Sequence, residues 1–179
     1  MATLYLFPTA EEAAGLLSRR PDLREQVAVI GVGQAAAAAS AARLIAHRKP
    51  SCVVLGGIAG AFDGRLALCE VVAVVQDRVA FLPERYSKDY HASKVEGLTA
   101  VGSYTVNRTG EAALLCKHSP LPAVEQMEGA AVAALCQEMG VEHYYHLRAI
   151  SNYVDDERSA WRIGEAVEAL GERIATLKL

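Results

Sequence analysis

The sequence predicts an α/β domain with a mixed, mostly parallel central sheet flanked by helices. Three observations carry that reading. Short apolar, β-branched runs alternate with alanine-rich or amphipathic stretches. The connections between them are short, as in strand–helix–strand units. Two of the runs, VAVIGVG (27–33) and SCVVLGG (51–57), end in glycines where the chain must turn. The chain has 179 residues and is 52% hydrophobic, which fits one domain over 1–179 with a core that needs no staples.

The elements follow in order. Residues 2–7 read as a strand broken by Pro8 and Thr9, and Thr9 caps a helix from Ala10 to about Arg19. A buried strand over 27–33 leads into a helix of high alanine propensity, ended by Lys49 and Pro50. The 51–57 strand is apolar on both faces, as in a parallel sheet, and IAGAFDG reads as the loop after it. LALCEVVAVVQ (66–76) is the next strand. Residues 77–97 are polar, aromatic and aperiodic, and read as a long loop. A strand covers 98–107, and Thr109 caps a helix through Leu115. Residues 124–140 start as a strand and become a helix stopped by Gly140. Residues 141–154 are a strand. The stripe Ala160, Ile163, Ala166, Val167, Leu170 and Ile174 predicts an amphipathic helix over 159–177.

Composition narrows the function classes. The net charge of −3 is spread along the chain, which offers no field for nucleic acid. No apolar run suits a bilayer, and the start lacks the basic and apolar regions of a signal peptide. Cys52, Cys69, Cys116 and Cys136 stand singly, without ligand spacing. They read as reduced thiols of a cytoplasmic protein, and neither a metal nor a cofactor is expected.

Four motifs sit where open α/β sheets bind ligands, beyond the carboxyl ends of strands. GVGQAAAA (31–38) and GGIAGAF (56–62) place glycines at two strand ends, with Gly33, Gly57, Ile58 and Ala59 nearest the ligand side. QMEGAAVAALC (126–136) puts Met127 and Glu128 at a strand-to-helix junction. RAISNYV (148–154) ends an apolar strand with Arg148, Ser151 and Asn152, polar groups that need partners or a ligand. Each has a plainer role in a tight turn, a helix start or an ion pair. Their coincidence at one sheet edge favours a site. Glu11 or Glu12, after the first strand, could serve as a base for water.

GVGQAAAAASAA, GGIAGAF, TVNRTG, MEGAAVAALC and RAISNYV, in this order, resemble the phosphorylase-type nucleoside phosphorylase/nucleosidase family. TVNRTG, MEGAAVA, RAISNYV and AWRI (160–163) resemble its futalosine hydrolase branch. The resemblance implies N-glycosidic hydrolysis of a small purine nucleoside by a homodimer or larger homo-oligomer. It places Glu128 on the ribose hydroxyls with Met127 against the sugar. Asn152 would face purine N7, supported by Arg148 and Ser151, and Val106 would line the base pocket. Glu12 is the preferred water activator, with Glu11 one position away. Asn152 stands where the adenosine-cleaving relatives carry Asp, which leans toward a 6-oxopurine. Leu55 and Ile58 stand where the phosphorylases hold phosphate with Arg and Ser, which leans toward water as nucleophile. Arg85 and Lys88 are candidates for an anionic 5′ substituent. A methylthioadenosine-type nucleosidase, a purine nucleoside phosphorylase and a shortened, non-catalytic nucleoside-binding member remain alternatives.

Overall fold

The computed structural model describes residues 2–115 and 120–177. Cys116 lies outside them, and Cys52, Cys69 and Cys136 are free thiols. Strand β1 (Thr3–Phe7) passes through Pro8 into helix α1 (Ala10–Arg19), with the Thr9 hydroxyl accepting the Glu12 N–H at 3.2 Å. Strand β2 (Val27–Val29) is shorter than its apolar run. Gly31 and Gly33 take φ of +87° and +88°, which turns the chain into helix α2 (Gln34–Arg48). Strand β3 (Cys52–Ala61) is longer than expected. IAGA, read above as loop, stays extended because strand β8 (His143–Tyr153) pairs alongside it as far as Tyr153.

Strand β4 (Val71–Val79) starts later than expected, after a turn in which Cys69 adopts φ +66°. The irregular stretch holds a short strand β5 (Asp89–His91) antiparallel to β4. After strand β6 (Thr99–Thr105) the expected helix is only one 3-10 turn at Glu111–Leu114, entered from Gly110 at φ +80° rather than capped by Thr109. Strand β7 (Ala123–Gln126) leads into helix α3 (Gly129–Glu138). Helix α4 (Ile163–Thr176) begins four residues later than the expected start at 159, after a 3-10 turn at Arg158–Ala160.

The sheet is mixed and flanked by helices, as the alternation implied. Its closure was not foreseen. β3 pairs β8 in parallel, β8 pairs β4 antiparallel, β4 pairs β6 and β6 pairs β7 in parallel, and β7 returns antiparallel to β3 at Gly60–Glu125 and Ala61–Val124. Five strands thus form a ring, which removes their free edges. β1 and β2 extend one side of β3 in parallel. Alternation divides the packing. Val53 and Leu55 join the cluster with Leu44, Ile45 and Val132 from α2 and α3. Cys52 and Val54 join Leu16, Leu170 and Ile174 from α1 and α4. A third cluster, including Val72, Val101, Val124 and Ile150, lies among the ring strands.

Helices α1 and α4 meet backbone to backbone. A Cβ on Gly171 would lie 2.1 Å from the Gly15 carbonyl carbon, and one on Gly15 would lie 2.5 Å from the Val167 oxygen. Beneath the first turn of α3 the ring carries polar groups in place of apolar ones. Asp77, Ser103, Thr105, Gln126 and His146 are all buried. The Thr105 hydroxyl donates to Asp77 at 3.0 Å and accepts the Ala130 N–H at 2.9 Å. The Gln126 amide donates to Asp77 Oδ2 at 2.9 Å, and the Arg78 N–H reaches Oδ1 at 2.8 Å. A Cβ on Gly129 would lie 2.2 Å from Asp77 Oδ2, so only glycine lets the helix start so close to this carboxylate.

Two predictions follow from the packing. Gly171→Leu has no volume to enter, and should lower stability by about 3 kcal/mol, a fall of roughly 6–12 °C in Tm. Gly164→Ala, on the same helix with open space around it, should cost nothing. Equal thermal melts for the two variants would refute the close helix contact. Burial, opposed by its hydrogen bonds and by Arg148, raises the Asp77 carboxyl from 3.8 to about 6. Its folded pKa exceeds its unfolded one, so its contribution to stability is full below pH 3.8 and is lost as pH rises through about 6. Urea unfolding of wild type and Asp77→Asn, compared from pH 4 to pH 7, should show wild type losing about 3 kcal/mol relative to the variant. A pH-independent difference would contradict the burial of an ionised carboxylate.

Candidate active site

A cleft of about 250 Å³ opens where the carboxyl-terminal parts of β3 and β8 meet the segments after β1, β6, β7 and β8. The start of α1 supplies Glu11 and Glu12, and β3 supplies Ile58, Ala59 and Gly60. Val106 follows β6, and Met127 and Glu128 follow β7. Arg148, Ser151 and Asn152 come from β8, and Arg158 and Trp161 from the segment after it. Nine of the residues singled out by the sequence therefore share one cavity: Glu12, Ile58, Ala59, Val106, Met127, Glu128, Arg148, Ser151 and Asn152.

Gly33 and Gly57 do not line it, and their placement corrects the expectation that they face the ligand. Val32 lines the cleft in the place of Gly33, while the Gly33 N–H turns to Glu128 Oε1 at 3.0 Å. Gly57 lies behind the wall, where a Cβ would sit 2.3 Å from Arg148 Nη1 and 3.0 Å from Glu12 Oε1. Its lack of a side chain makes room for the two charged groups. Arg85 and Lys88 are absent from the lining; the Arg85 guanidinium lies 4.8 Å from the Tyr86 ring. Tyr104 alternates away from the cleft and meets Phe62 edge-on, while Val106, two residues on, faces in.

Arg148 organises the floor. Only 1% exposed, it is the largest fully buried side chain among the described residues. Its Nε donates to His146 Nε2 at 2.8 Å and its Nη1 to the Ile58 carbonyl at 3.1 Å. Its Nη2 reaches Gln126 Oε1 at 3.0 Å and Glu128 Oε2 at 3.1 Å. A histidine accepting from a guanidinium must be neutral at that nitrogen. Burial, and then the charge of Arg148, hold the His146 pKa well below its usual value.

Glu128 is therefore fixed at both oxygens, by a backbone N–H from before α2 and by a buried guanidinium. Gln126 reinforces this, since its Oε1 also accepts the N–H groups of Glu128 at 2.8 Å and Gly129 at 2.6 Å. Glu12 lies near the Nη1 end of Arg148, since a Cβ on Gly57 would touch both groups. The Ile58 N–H donates to Glu12 Oε1 at 2.9 Å and the Thr9 hydroxyl to Oε2 at 2.7 Å. Burial raises its pKa above 4.5; Ile58, Arg148 and Thr9 pull it back, and Glu128 adds to the rise. Glu11, its neighbour, also lines the cleft but is exposed.

The Asn152 amide is oriented. Ser151 Oγ donates to its Oδ1 at 2.8 Å, and its Nδ2 donates to the Tyr153 carbonyl at 2.8 Å. A carbonyl cannot accept from another carbonyl oxygen, so the NH₂ faces Tyr153, and its second hydrogen remains for a ligand. The sequence reading missed Gln126 and Glu125, adjacent polar residues in a strand whose four positions are all buried. That adjacency, which breaks alternation, was the available signal. Glu125 accepts the Gly110 N–H at 2.6 Å, and burial raises its pKa. Among the described residues no group of His, Cys, Asp and Glu could hold a metal ion, and no helix is long and apolar enough to cross a membrane.

The family model described as the phosphorylase superfamily matches residues 86–178. Futalosine hydrolase of Streptomyces coelicolor is 40% identical over 82 residues, 45% of this chain and 34% of that protein. The 5′-methylthioadenosine/S-adenosylhomocysteine nucleosidase of Shewanella oneidensis is 24% identical over 156 residues, 71% of this chain and 66% of that protein. The aligned stretches thus span about a third to two thirds of these relatives. In three dimensions, a futalosine hydrolase mutant of Helicobacter pylori superimposes with a TM-score of 0.80 at 17% identity, over 96% of both chains. A methylthioadenosine nucleosidase of Arabidopsis thaliana gives 0.82 at 15% identity, over 96% of this chain and 92% of that one. The likeness of fold extends over nearly the whole chain, and with the family model covering more than half of its residues, this chain belongs to the phosphorylase superfamily.

Proposed function

We propose that the cleft hydrolyses the N-glycosidic bond of a purine nucleoside, with futalosine, releasing hypoxanthine, as the preferred substrate. The observation that carries this reading is the pair of buried carboxylates, Glu12 and Glu128, both held close to the Arg148 guanidinium in the cavity that Asn152 lines. Support also comes from the names of the relatives, a futalosine hydrolase and methylthioadenosine-type nucleosidases.

In the proposed mechanism the bond to the base loosens first, and the ribosyl group becomes cationic. Glu128 takes the 2′- and 3′-hydroxyls and offsets that charge from a fixed position. Glu12 orients water and accepts its proton as it attacks the anomeric carbon. The departing base gathers negative charge, and the free Asn152 N–H donates to it. A 6-oxopurine leaves well with this help, whereas adenine benefits from a proton that an amide cannot supply. Water is favoured over phosphate because Leu55 is buried in the apolar core and Ile58 presents no donor beyond its N–H, already taken by Glu12.

The relative aligned over the larger share of the chain is a methylthioadenosine/S-adenosylhomocysteine nucleosidase, which keeps adenine release as a second reading. Futalosine, inosine and methylthioadenosine, each assayed for free base with and without phosphate, separate the two. Hypoxanthine from futalosine without phosphate is expected; adenine as the main product, or a strict need for phosphate, would displace the first reading. No base from any of them would leave a binding protein. Glu128→Gln should lower kcat by at least about 10²-fold. Glu12 must be ionised to accept a proton, and its pKa is raised, so activity should fall on the acid side with a midpoint above 4.5. Glu12→Gln should abolish activity at every pH, and a normal acid limb in that variant would assign the base elsewhere.

A further inference from the structure

Six charged side chains line the cleft: Glu11, Glu12, Glu125, Glu128, Arg148 and Arg158. Four are buried and held by the fold, as described. Glu11 and Arg158 are exposed. Among the described residues Arg158 makes no salt bridge, although Asp155, Asp156 and Glu157 precede it directly. The carboxylate of Asp156 is engaged by the Tyr153 N–H at 2.8 Å. The Arg158 guanidinium lies instead 4.2 Å from the centre of the Trp161 ring, which also lines the cleft.

This placement is built into the chain. The Arg162 N–H donates to the Ser151 carbonyl at 2.8 Å, which ties the segment to β8 beside Asn152. The Trp161 ring is fixed by its Nε1, which donates to the Asp156 carbonyl at 3.3 Å. A guanidinium over an aromatic face keeps its edge donors free, in the fork that matches a carboxylate. Arg148 cannot play this part, because it is buried and four of its five N–H groups are used within the protein, which leaves no fork for a carboxylate.

We propose that Arg158, seated on Trp161, binds a carboxylate carried by the substrate outside its ribose and base. The proposal rests on the reading that a nucleoside fills the cleft, and moves the anion site from Arg85 and Lys88 to the rim beside Asn152. The substrate class is then an acidic nucleoside. An inorganic phosphate ion could use the same fork, so the test includes it.

Trp161 is the only tryptophan in the chain, and its fluorescence reports on this site. The full chain is titrated with futalosine, whose 5′ substituent ends in a carboxylate, with its neutral methyl ester, and with inorganic phosphate. Wild type should bind the acid about tenfold more tightly than the ester. Arg158→Ala should bring that ratio close to one, and Arg158→Lys, which keeps the charge without the fork, should give an intermediate ratio. In turnover the same loss should appear in KM for the acid, with kcat within about twofold. Acid and ester bound alike by wild type, or weakened alike by Arg158→Ala, would overturn the proposal. So would phosphate binding that Arg158→Ala removes while the acid–ester ratio stays unchanged. If no base is released but the acid preference depends on Arg158, the anion site stands and the hydrolytic reading falls.

Discussion

The buried guanidinium of Arg148 is the contact on which the cleft depends. A charge removed from water costs several kcal/mol unless its partners are well placed, and here a histidine, a carbonyl, an amide and a carboxylate receive its donors. Those partners come from β3, β7, β8 and the turn before α3. Satisfying the arginine therefore fixes the relative positions of separate strands. Removing Glu128 would leave the cation under-compensated, a loss that typically costs about 3–5 kcal/mol. The same contacts that hold Glu128 at the cleft thus make it a structural partner of the buried cation.

Closure of the ring explains why so polar a group can be housed at that depth. Backbone pairing around five strands spends most of their hydrogen bonds on each other, and the inward polar groups are completed by side chains and by a few backbone groups such as the Ile58 carbonyl and the Arg78 N–H. Asp77, Ser103, Thr105 and Gln126 then act as a connected set and hold the first turn of α3. In such a set each member restricts the others, and a half-satisfied version would be worse than an apolar one. Gly129 completes it by having nothing to put in the way.

Much of this was legible in the sequence. The Thr9 cap and α1 fell where propensity put them, because the signals are local. Arg148 and Asn152 stood out as polar residues at an apolar strand end, whereas Glu12 and Glu128, at helix starts, were chosen through the family resemblance; all four line the cleft. Ring closure was not legible, since β7 is four residues long and its antiparallel return to β3 is a tertiary choice. IAGA carries loop composition, yet its Gly60 allows close approach of Asn152 on β8, as Gly57 just before this stretch does for Arg148, rather than a turn. The stripe that predicted α4 was right in phase and wrong in its start, because a bond from Arg162 to β8 holds the preceding residues outside the helix. Gln126 and His146 escaped notice because a buried polar network shows itself only when its members are brought together.

The Gly33 N–H on Glu128 reaches across 95 positions of the chain. Glu12 and its Ile58 donor also lie far before the stretch that the family model matches, residues 86–178. That recognisable half carries Glu128, Arg148 and Asn152 but neither the amide that clamps the first of these nor the opposing carboxylate. Cut free, it would be a set of tools without a vice: the cleft is assembled at the join between the two halves, and neither holds it alone.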